Sequence, residues 1–137
     1  MKMEIFYEGN KKVNASFNGY IIKTDQPEKS GGDGTAPSPF DLFLSSIGTC
    51  AGFYVKSFCD QRNIPADNIK IVQTMDFNVD THLISKINVD IQLPPEFPEK
   101  YRSAVIASAN LCTVKKHLAN PPTLEVTSSV NENILVN

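Results

Sequence analysis

The chain of 137 residues has the length of one domain, and its composition of 41% apolar and 20% charged residues is that of a globular protein. The net charge of −2, without a basic run, argues against a nucleic-acid-binding surface. No apolar stretch reaches the ~18 uninterrupted residues of a membrane span, and the first ten residues lack the apolar core of a signal peptide. We therefore expect a single cytoplasmic domain over residues 1–137.

The N-terminal segment 1–37 is predicted to form hairpin strands followed by a glycine-rich loop. Two alternating runs flank the dipeptide Asn18-Gly19, a pair that favours a tight turn with positive φ at both central residues. The loop that follows, DQPEKSGGDGTAPSP, is long enough to be functional or mobile.

A long apolar helix is predicted over residues 38–63. Ser38 is placed to cap it, Pro39 needs no N–H donor in the first turn, and Asp41 can complete a capping box. The helix is apolar on nearly every face, which is typical of a central helix rather than one on the surface.

The second half of the chain is predicted to contain a strand pair, two helices and a final strand. Segment 64–95 alternates as two strands, 98–120 is helical with a break near Asn110, and 122–137 is predicted as a C-terminal strand. The order β-β-β-α-β-β-α-α-β predicts an α+β fold with antiparallel sheet.

Three cysteines, an odd number at wide spacings, do not indicate a disulfide framework. Cys50 lies mid-helix, Cys59 points to the opposite face and is expected to be a core thiol, and Cys112 is expected to open a short helix. Unpaired N–H groups and the positive end of the helix dipole would favour a thiolate at Cys112.

The face of the helix that carries Cys50 is rich in aromatic and apolar residues. It includes Phe43, Ile47, Phe53 and Tyr54. Such a stripe is typical of an ordinary core, but Cys50 and Cys112 would form a redox pair if the fold brought them together. The residues alone leave both interpretations open.

The run GTAPSPFDLFLSSIGTCAGFYV, followed by NLCTVKKHLANPPTLEVT, resembles the osmotically induced and organic hydroperoxide resistance (OsmC/Ohr) family, and more closely its less defined OsmC-like branch. The resemblance covers the glycine-rich loop, the helix with Cys50, the strand pair and the helical region with Cys112. It implies an intertwined homodimer in which antiparallel sheet wraps two long central helices.

The resemblance also implies a reaction, the thiol-dependent reduction of organic hydroperoxides. Cys50 would be the peroxidatic and Cys112 the resolving cysteine, and an external dithiol would reduce the disulfide. No metal, haem or flavin cofactor and no nucleic-acid or membrane partner is implied. The apolar substrate pocket would be lined by Phe43, Ile47, Phe53 and Tyr54.

The chain departs from the hydroperoxide reductases of this family near the first cysteine. Those proteins carry a glutamate ten residues before it, paired with an N-terminal arginine, whereas this chain has Phe40 there and no arginine before Arg62. Asp41 is the candidate acid near the site, although a capping role explains it as well. Two alternatives therefore stay open: a binding protein for a small lipophilic ligand, and a thiol redox sensor, both without significant peroxidase activity.

Overall fold

The computed structural model describes residues 1–131, and within this range the chain forms two antiparallel sheets and three α-helices. The predicted α+β class with antiparallel sheet is therefore confirmed. The elements in chain order are β1 (Glu4–Gly9), β2 (Lys12–Phe17), β3 (Tyr20–Ile22), α1 (Pro39–Asp60), β4 (Lys70–Asn78), β5 (Leu83–Gln92), α2 (Arg102–Ala109) and α3 (Thr113–Ala119). Short 3-10 turns at Glu28–Ser30 and Glu99–Tyr101 precede α1 and α2.

Strands β1, β2 and β3 form one antiparallel sheet, and β4 and β5 form the other. The turn between β2 and β3 contains Asn18 and Gly19, whose φ angles of 49° and 80° are both positive. A two-residue hairpin turn requires these angles, so the predicted hairpin is confirmed. Strands β4 and β5 pair from Lys70 opposite Gln92 at one end to Asn78 at the other.

The start of α1 is the capping box that the sequence predicts. The Asp41 N–H donates to Ser38 Oγ at 3.2 Å, and the Ser38 N–H donates to Asp41 Oδ2 at 3.0 Å. The helix ends at Asp60, slightly before the predicted boundary at residue 63. The chain turns there because Asn63 takes a left-handed conformation with φ of 53°.

Two glycines of α1 allow the second sheet to approach the helix closely. A Cβ atom at Gly48 would lie 2.8 Å from Gln73 Oε1, and one at Gly52 would lie 3.4 Å from Ile71 Cδ1. Gln73 Nε2 also donates to the Leu44 carbonyl at 2.9 Å. Strand β4 is therefore held against the middle of α1, where Gly48 and Gly52 lie on either side of Cys50 in the sequence.

The hydrophobic core lies where the C-terminal half of α1 meets α2. Its buried members are Val55, Phe58, Cys59, Phe97 and Val105. Among the described residues, α1 is the one helix that length and composition alone would allow to span a membrane, a property that core helices of soluble proteins share. It contacts α2, α3 and β4, while Phe43 and Phe53 on it are exposed.

The chain exposes more surface than a globular monomer of its mass. Its accessible surface is 10750 Å², whereas size scaling gives about 7,100 Å² for a folded monomer of 15.1 kDa. The sheet β1–β3 makes no extensive contact with the described helices, and Ile5, Tyr7, Tyr20 and Ile21 are exposed on it. The exposed segment 122–131 and the exposed apolar side chains of the sheet both contribute to this excess.

Asp25, which is fully buried, organises the glycine-rich loop. Its carboxylate accepts hydrogen bonds from Thr35 Oγ1 at 2.7 Å, from the Thr35 N–H at 3.0 Å and from the Gln26 N–H at 2.7 Å. These bonds, those from Thr35 above all, hold the pKa of Asp25 far below its usual range. The loop that the sequence predicts to be functional or mobile is thus held in place by hydrogen bonds to the carboxylate of Asp25.

The predicted C-terminal strand is wrong for the part that the structure describes. Residues 122–131 contain no strand, and Leu124, Val126 and Val130 are exposed. Their alternation suits a strand, but a strand forms only when it is hydrogen-bonded to a neighbouring strand, and residues 122–130 belong to neither of the two sheets formed within residues 1–131. The rest of the prediction, 132–137, lies outside the described residues.

Replacing Asp25 with asparagine should lower the free energy of unfolding at neutral pH, because the loop loses its charged hydrogen-bond acceptor. The folded-state pKa of Asp25 is depressed, so the stabilisation is fully present above the unfolded pKa of about 3.9 and is lost as the pH falls through the folded value. Urea unfolding of wild type and Asp25→Asn should therefore differ most above pH 5, and the difference should shrink gradually as the pH falls from about 4 toward the folded-state pKa. Asp80→Asn, in the exposed β4–β5 turn, serves as the control, and a pH-independent difference for Asp25→Asn would contradict this role.

Candidate active site

Cys50 and Cys112 come together in the folded chain although 62 residues separate them in sequence. Cys50 lies in the middle of α1 and is partly exposed, whereas Cys112 directly precedes α3 and is only 1% exposed. The packing of α3 on α1 brings the two side chains close enough that each shifts the pKa of the other, and both are free thiols. The structure thus assembles the pair that sequence spacing alone left open.

The surroundings of Cys50 favour its thiolate. Burial is the largest single effect and raises its pKa, but hydrogen bonding from the Cys112 side chain and from the N–H groups of Val114 and Thr113 acts the other way. The net result is that the pKa of Cys50 lies below the ordinary value of a thiol. Because Cys50 is also partly exposed, a solvent-borne reactant can approach it.

The surroundings of Cys112 have the opposite effect. Burial raises the pKa of Cys112, and hydrogen bonding to Cys50 raises it further, which outweighs the N–H groups of Lys115 and Val114. The sequence predicted that the start of the second helix would favour a thiolate at Cys112, and this assignment is wrong. The first N–H groups of α3 favour the thiolate of Cys50, while Cys112 is buried and stays protonated.

The break between α2 and α3 creates this arrangement, and its predicted position near Asn110 is confirmed. Helix α2 ends at Ala109, whose carbonyl accepts from the Cys112 N–H at 3.2 Å, and α3 begins at Thr113. The first N–H groups of a helix have no acceptor within the helix. Those of Thr113 and Val114 find one in the Cys50 sulfur.

Tyr54 ties α1 to the start of α3. Its hydroxyl lies 3.0 Å from Thr113 Oγ1, one turn of helix beyond Cys50. The ring of Tyr54 is in turn packed edge-to-face against Phe53 at a centroid distance of 5.5 Å. Tyr54 therefore positions the residue whose N–H group acts on Cys50, a role that the prediction of a pocket-lining residue missed.

The four residues predicted to line one apolar pocket do not share one environment. Ile47 is buried and lines a cavity beside Cys112, whereas Phe43 is 41% and Phe53 is 65% exposed. The prediction used the angle of each residue around the helix axis, and because α1 is one continuous helix, these residues do lie on the side of α1 that carries Cys50. It did not show that this face of α1 points out of the subunit, away from the sheet and α2.

Asp41 does not take part in the cysteine site. Both of its described hydrogen-bond partners belong to Ser38, whose Oγ donates to Asp41 Oδ2 at 2.7 Å and whose N–H donates to the same oxygen at 3.0 Å. These bonds also lower the pKa of the Asp41 carboxyl. Of the two roles considered for Asp41, the structure supports the capping role.

The two arginines of the chain are engaged away from Cys50. The Arg62 guanidinium lies over the ring of Phe58, 3.7 Å from its centroid, and Arg102 pairs with Glu99 at 3.1 Å. Activation of the thiol in this subunit therefore comes from backbone N–H groups and the Cys112 thiol rather than from a guanidinium.

Cys59 is a core thiol, as predicted. It is fully buried beside Val55 and Phe58, and burial raises its pKa. Within residues 1–131, no group of three or more His, Cys, Asp or Glu side chains is placed to hold a metal ion. The chemistry available at the site is that of two thiols of unequal acidity.

Residues 32–127 of the chain match the family model described as OsmC-like protein. The match includes both Cys50 and Cys112 and about two thirds of the chain. A search of curated proteins finds none that matches the sequence.

Several solved structures share this fold. A protein from Psychrobacter arcticus 273-4, assigned to the osmotic stress induced and detoxification response, is 23% identical with a TM-score of 0.70, covering 85% of this chain and 86% of that one. An organic hydroperoxide resistance protein from Legionella pneumophila is 14% identical with a TM-score of 0.54, covering 85% and 87%. The organic hydroperoxide resistance protein OhrB of Bacillus subtilis is 15% identical with a TM-score of 0.51, covering 88% and 93%.

The hydrogen bond from Cys112 predicts a difference between two substitutions at that position. Cys112→Ala removes the donor and should raise the pKa of Cys50, whereas Cys112→Ser keeps a hydroxyl donor and should leave it nearly unchanged. The pH dependence of Cys50 alkylation by iodoacetamide, followed by mass spectrometry, measures this pKa. An inflection at the same pH in both variants would show that Cys112 does not support the thiolate.

Proposed function

Because the chain belongs to the family of OsmC-like proteins, we propose that it reduces organic hydroperoxides with Cys50 as the peroxidatic and Cys112 as the resolving cysteine. The observation that carries this proposal is the meeting of two thiols whose pKa values are shifted in opposite directions. The structural likeness to two proteins described as organic hydroperoxide resistance proteins supports the class of reaction.

In the first step, the Cys50 thiolate attacks the distal oxygen of the hydroperoxide. A sulfur–oxygen bond forms as the oxygen–oxygen bond breaks, and the alkoxide leaves and takes up a proton to give the alcohol. Cys50 is oxidised to a sulfenic acid, and the peroxide is reduced. The lowered pKa of Cys50 supports this role because only the thiolate is a good nucleophile.

In the second step, Cys112 attacks the sulfur of the sulfenic acid. A disulfide forms and water leaves, carrying the sulfenic oxygen and two protons. Two exchanges with an external dithiol then restore both thiols and leave the reductant as a disulfide. The contact between the two side chains supports this step, because a disulfide needs Cα atoms within about 7 Å.

The raised pKa of Cys112 suits a resolving cysteine. A protonated Cys112 does not compete with Cys50 for the peroxide, and its S–H donates to the Cys50 thiolate before reaction. Its burial also keeps it from bulk oxidants, so that it reacts with the neighbouring sulfenic acid first. This division of roles follows from burial rather than from a charged partner.

The proposed functional unit is a homodimer. The excess surface, the sheet β1–β3 without a helix packed on it and the exposed apolar side chains of Leu124, Val126 and Val130 all support a partner that covers apolar area. The excess of about 3,600 Å² per chain, from 10750 Å² against the expected value of about 7,100 Å², is more than the roughly 1,000–2,500 Å² that each partner of an obligate dimer buries, so a dimer interface accounts for a large part of it. The proposal places this dimer in the cytoplasm, where dithiol reductants keep cysteines reduced.

Wild-type protein with a dithiol reductant should consume tert-butyl or cumene hydroperoxide, and Cys50→Ser should reduce consumption to the rate of the buffer. In the absence of reductant, Cys112→Ser should still consume one equivalent per chain and accumulate a sulfenic acid that dimedone traps, because resolution is blocked. Disulfide mapping of the oxidised wild type should find Cys50 joined to Cys112, and Cys59→Ser is the control with unchanged activity. Full activity in Cys50→Ser would overturn the proposed reaction.

Sedimentation should give a species of twice the 15.1 kDa chain mass. Phe53→Ala should weaken this dimer by about tenfold or more, because burying a phenylalanine contributes roughly 1.5–3 kcal/mol and 1.4 kcal/mol is one decade of affinity. Lys56→Ala, an equally simple truncation of an exposed α1 residue, is the matched control. A wild-type chain that stays monomeric at tens of micromolar would contradict the assembly.

A further inference from the structure

A cavity of 370 Å³ that is partly open to solvent lies beside Cys112 and is lined by residues of α1, β5, α2 and α3. Its apolar lining includes Ile47, Ala51, Val89, Ile91, Ala109 and Leu118. This volume is at the lower end of the roughly 300–1,000 Å³ of small-molecule sites. Cys112 is among its lining residues and Cys50 is not, so the cavity is not the approach to the nucleophile.

Few polar side chains line this cavity, and together they carry a positive charge. It consists of Asn88, Asn110 and Lys115, and no acidic side chain lines the cavity. Lys115 Nζ donates to Asn110 Oδ1, which directs the ammonium group toward the α2–α3 junction. None of the ion pairs among residues 1–131 includes Lys115, so its charge has no carboxylate partner there.

An apolar cavity with one uncompensated cation at its edge fits a particular kind of molecule. Its body must be apolar to replace water against isoleucine, valine and leucine, and its head must be anionic to pair with Lys115. At about 30 Å³ for each water-sized group, the cavity accommodates roughly twelve non-hydrogen atoms. A straight aliphatic carboxylate of about eight to ten carbons meets all three conditions.

We propose that this cavity binds a medium-chain aliphatic carboxylate, with its chain against Ile47, Val89 and Leu118 and its carboxylate on the Lys115 ammonium. The binding does not use the Cys50 thiolate, although the cavity borders Cys112, the resolving cysteine of the reaction proposed above. Asn110 and Asn88 offer amide N–H groups as further donors to the carboxylate oxygens.

Two ligands of equal chain length separate the contribution of the charge from that of the apolar body. The reduced full-length protein is titrated calorimetrically with octanoate and with octan-1-ol. Octanoate should bind saturably, and Lys115→Gln should weaken octanoate at least about tenfold while leaving octan-1-ol unchanged. Lys116→Gln, the neighbouring lysine that does not line the cavity, should change neither ligand.

A second variant tests the cavity itself. Ala109→Leu fills part of the volume and should weaken both ligands alike, with folding checked by circular dichroism. If this variant does not fold, the comparison of octanoate affinity in Lys115→Gln and Lys116→Gln still decides whether Lys115 binds the carboxylate. Absence of saturable octanoate binding up to millimolar concentration, or equal octanoate affinity in wild type and Lys115→Gln, overturns the proposal.

The same titration on Cys50→Ser separates this proposal from the proposed reaction. Cys50 does not line the cavity, so Cys50→Ser should bind octanoate with wild-type affinity while lacking peroxidase activity. Octanoate binding that disappears in Cys50→Ser would show that the ligand occupies the thiolate site instead, and would overturn the separate cavity site. Loss of peroxide reduction alone would leave the carboxylate site intact.

Discussion

The contact between the middle of α1 and the start of α3 is the constraint on which the site depends. Ending α2 at Ala109 and restarting at Thr113 leaves N–H groups without helical acceptors, and those of Thr113 and Val114 lower the pKa of Cys50. The packing of Val55 and Phe58 against Val105 holds α2 on α1, and α3 follows from α2 by a short turn. The core thus determines how the two cysteines meet, and one continuous helix in place of α2 and α3 would remove the N–H donors from Cys50.

This arrangement activates a thiol without a nearby positive side chain. A guanidinium would favour the thiolate by charge, whereas backbone N–H groups do so by hydrogen bonding in a partly desolvated place. Burial raises the pKa of both thiols, whereas the hydrogen bond between them lowers the pKa of Cys50 and raises that of Cys112. The hydrogen bond between Tyr54 and Thr113 matters because donors of this kind act only over short distances.

Features that depend on neighbouring residues could be predicted from the sequence, and those that depend on tertiary contacts could not. The Asn18-Gly19 turn, the Ser38–Asp41 capping box and the break near Asn110 each follow from local backbone chemistry. The meeting of Cys50 with Cys112 came from resemblance. The hydrogen bonds of Asp25 join residues ten apart in a loop, and the outward direction of Phe53 depends on where the sheet packs, so neither leaves a periodic signal.

The outer face of α1 links the stability of the chain to its chemistry. Phe40, Phe43 and Phe53 are exposed there, on the helix that also carries Cys50. A single chain therefore keeps its nucleophile beside apolar surface that water contacts, at a cost in solvation. In the proposed dimer, covering this face would bury aromatic area and lower the local dielectric around the thiolate. The lower dielectric strengthens the hydrogen bonds from Thr113 and Val114 to the thiolate, but it also makes the charged form of Cys50 less favourable. Assembly and thiol reactivity are then set by the same surface, and a change at Phe53 acts on both.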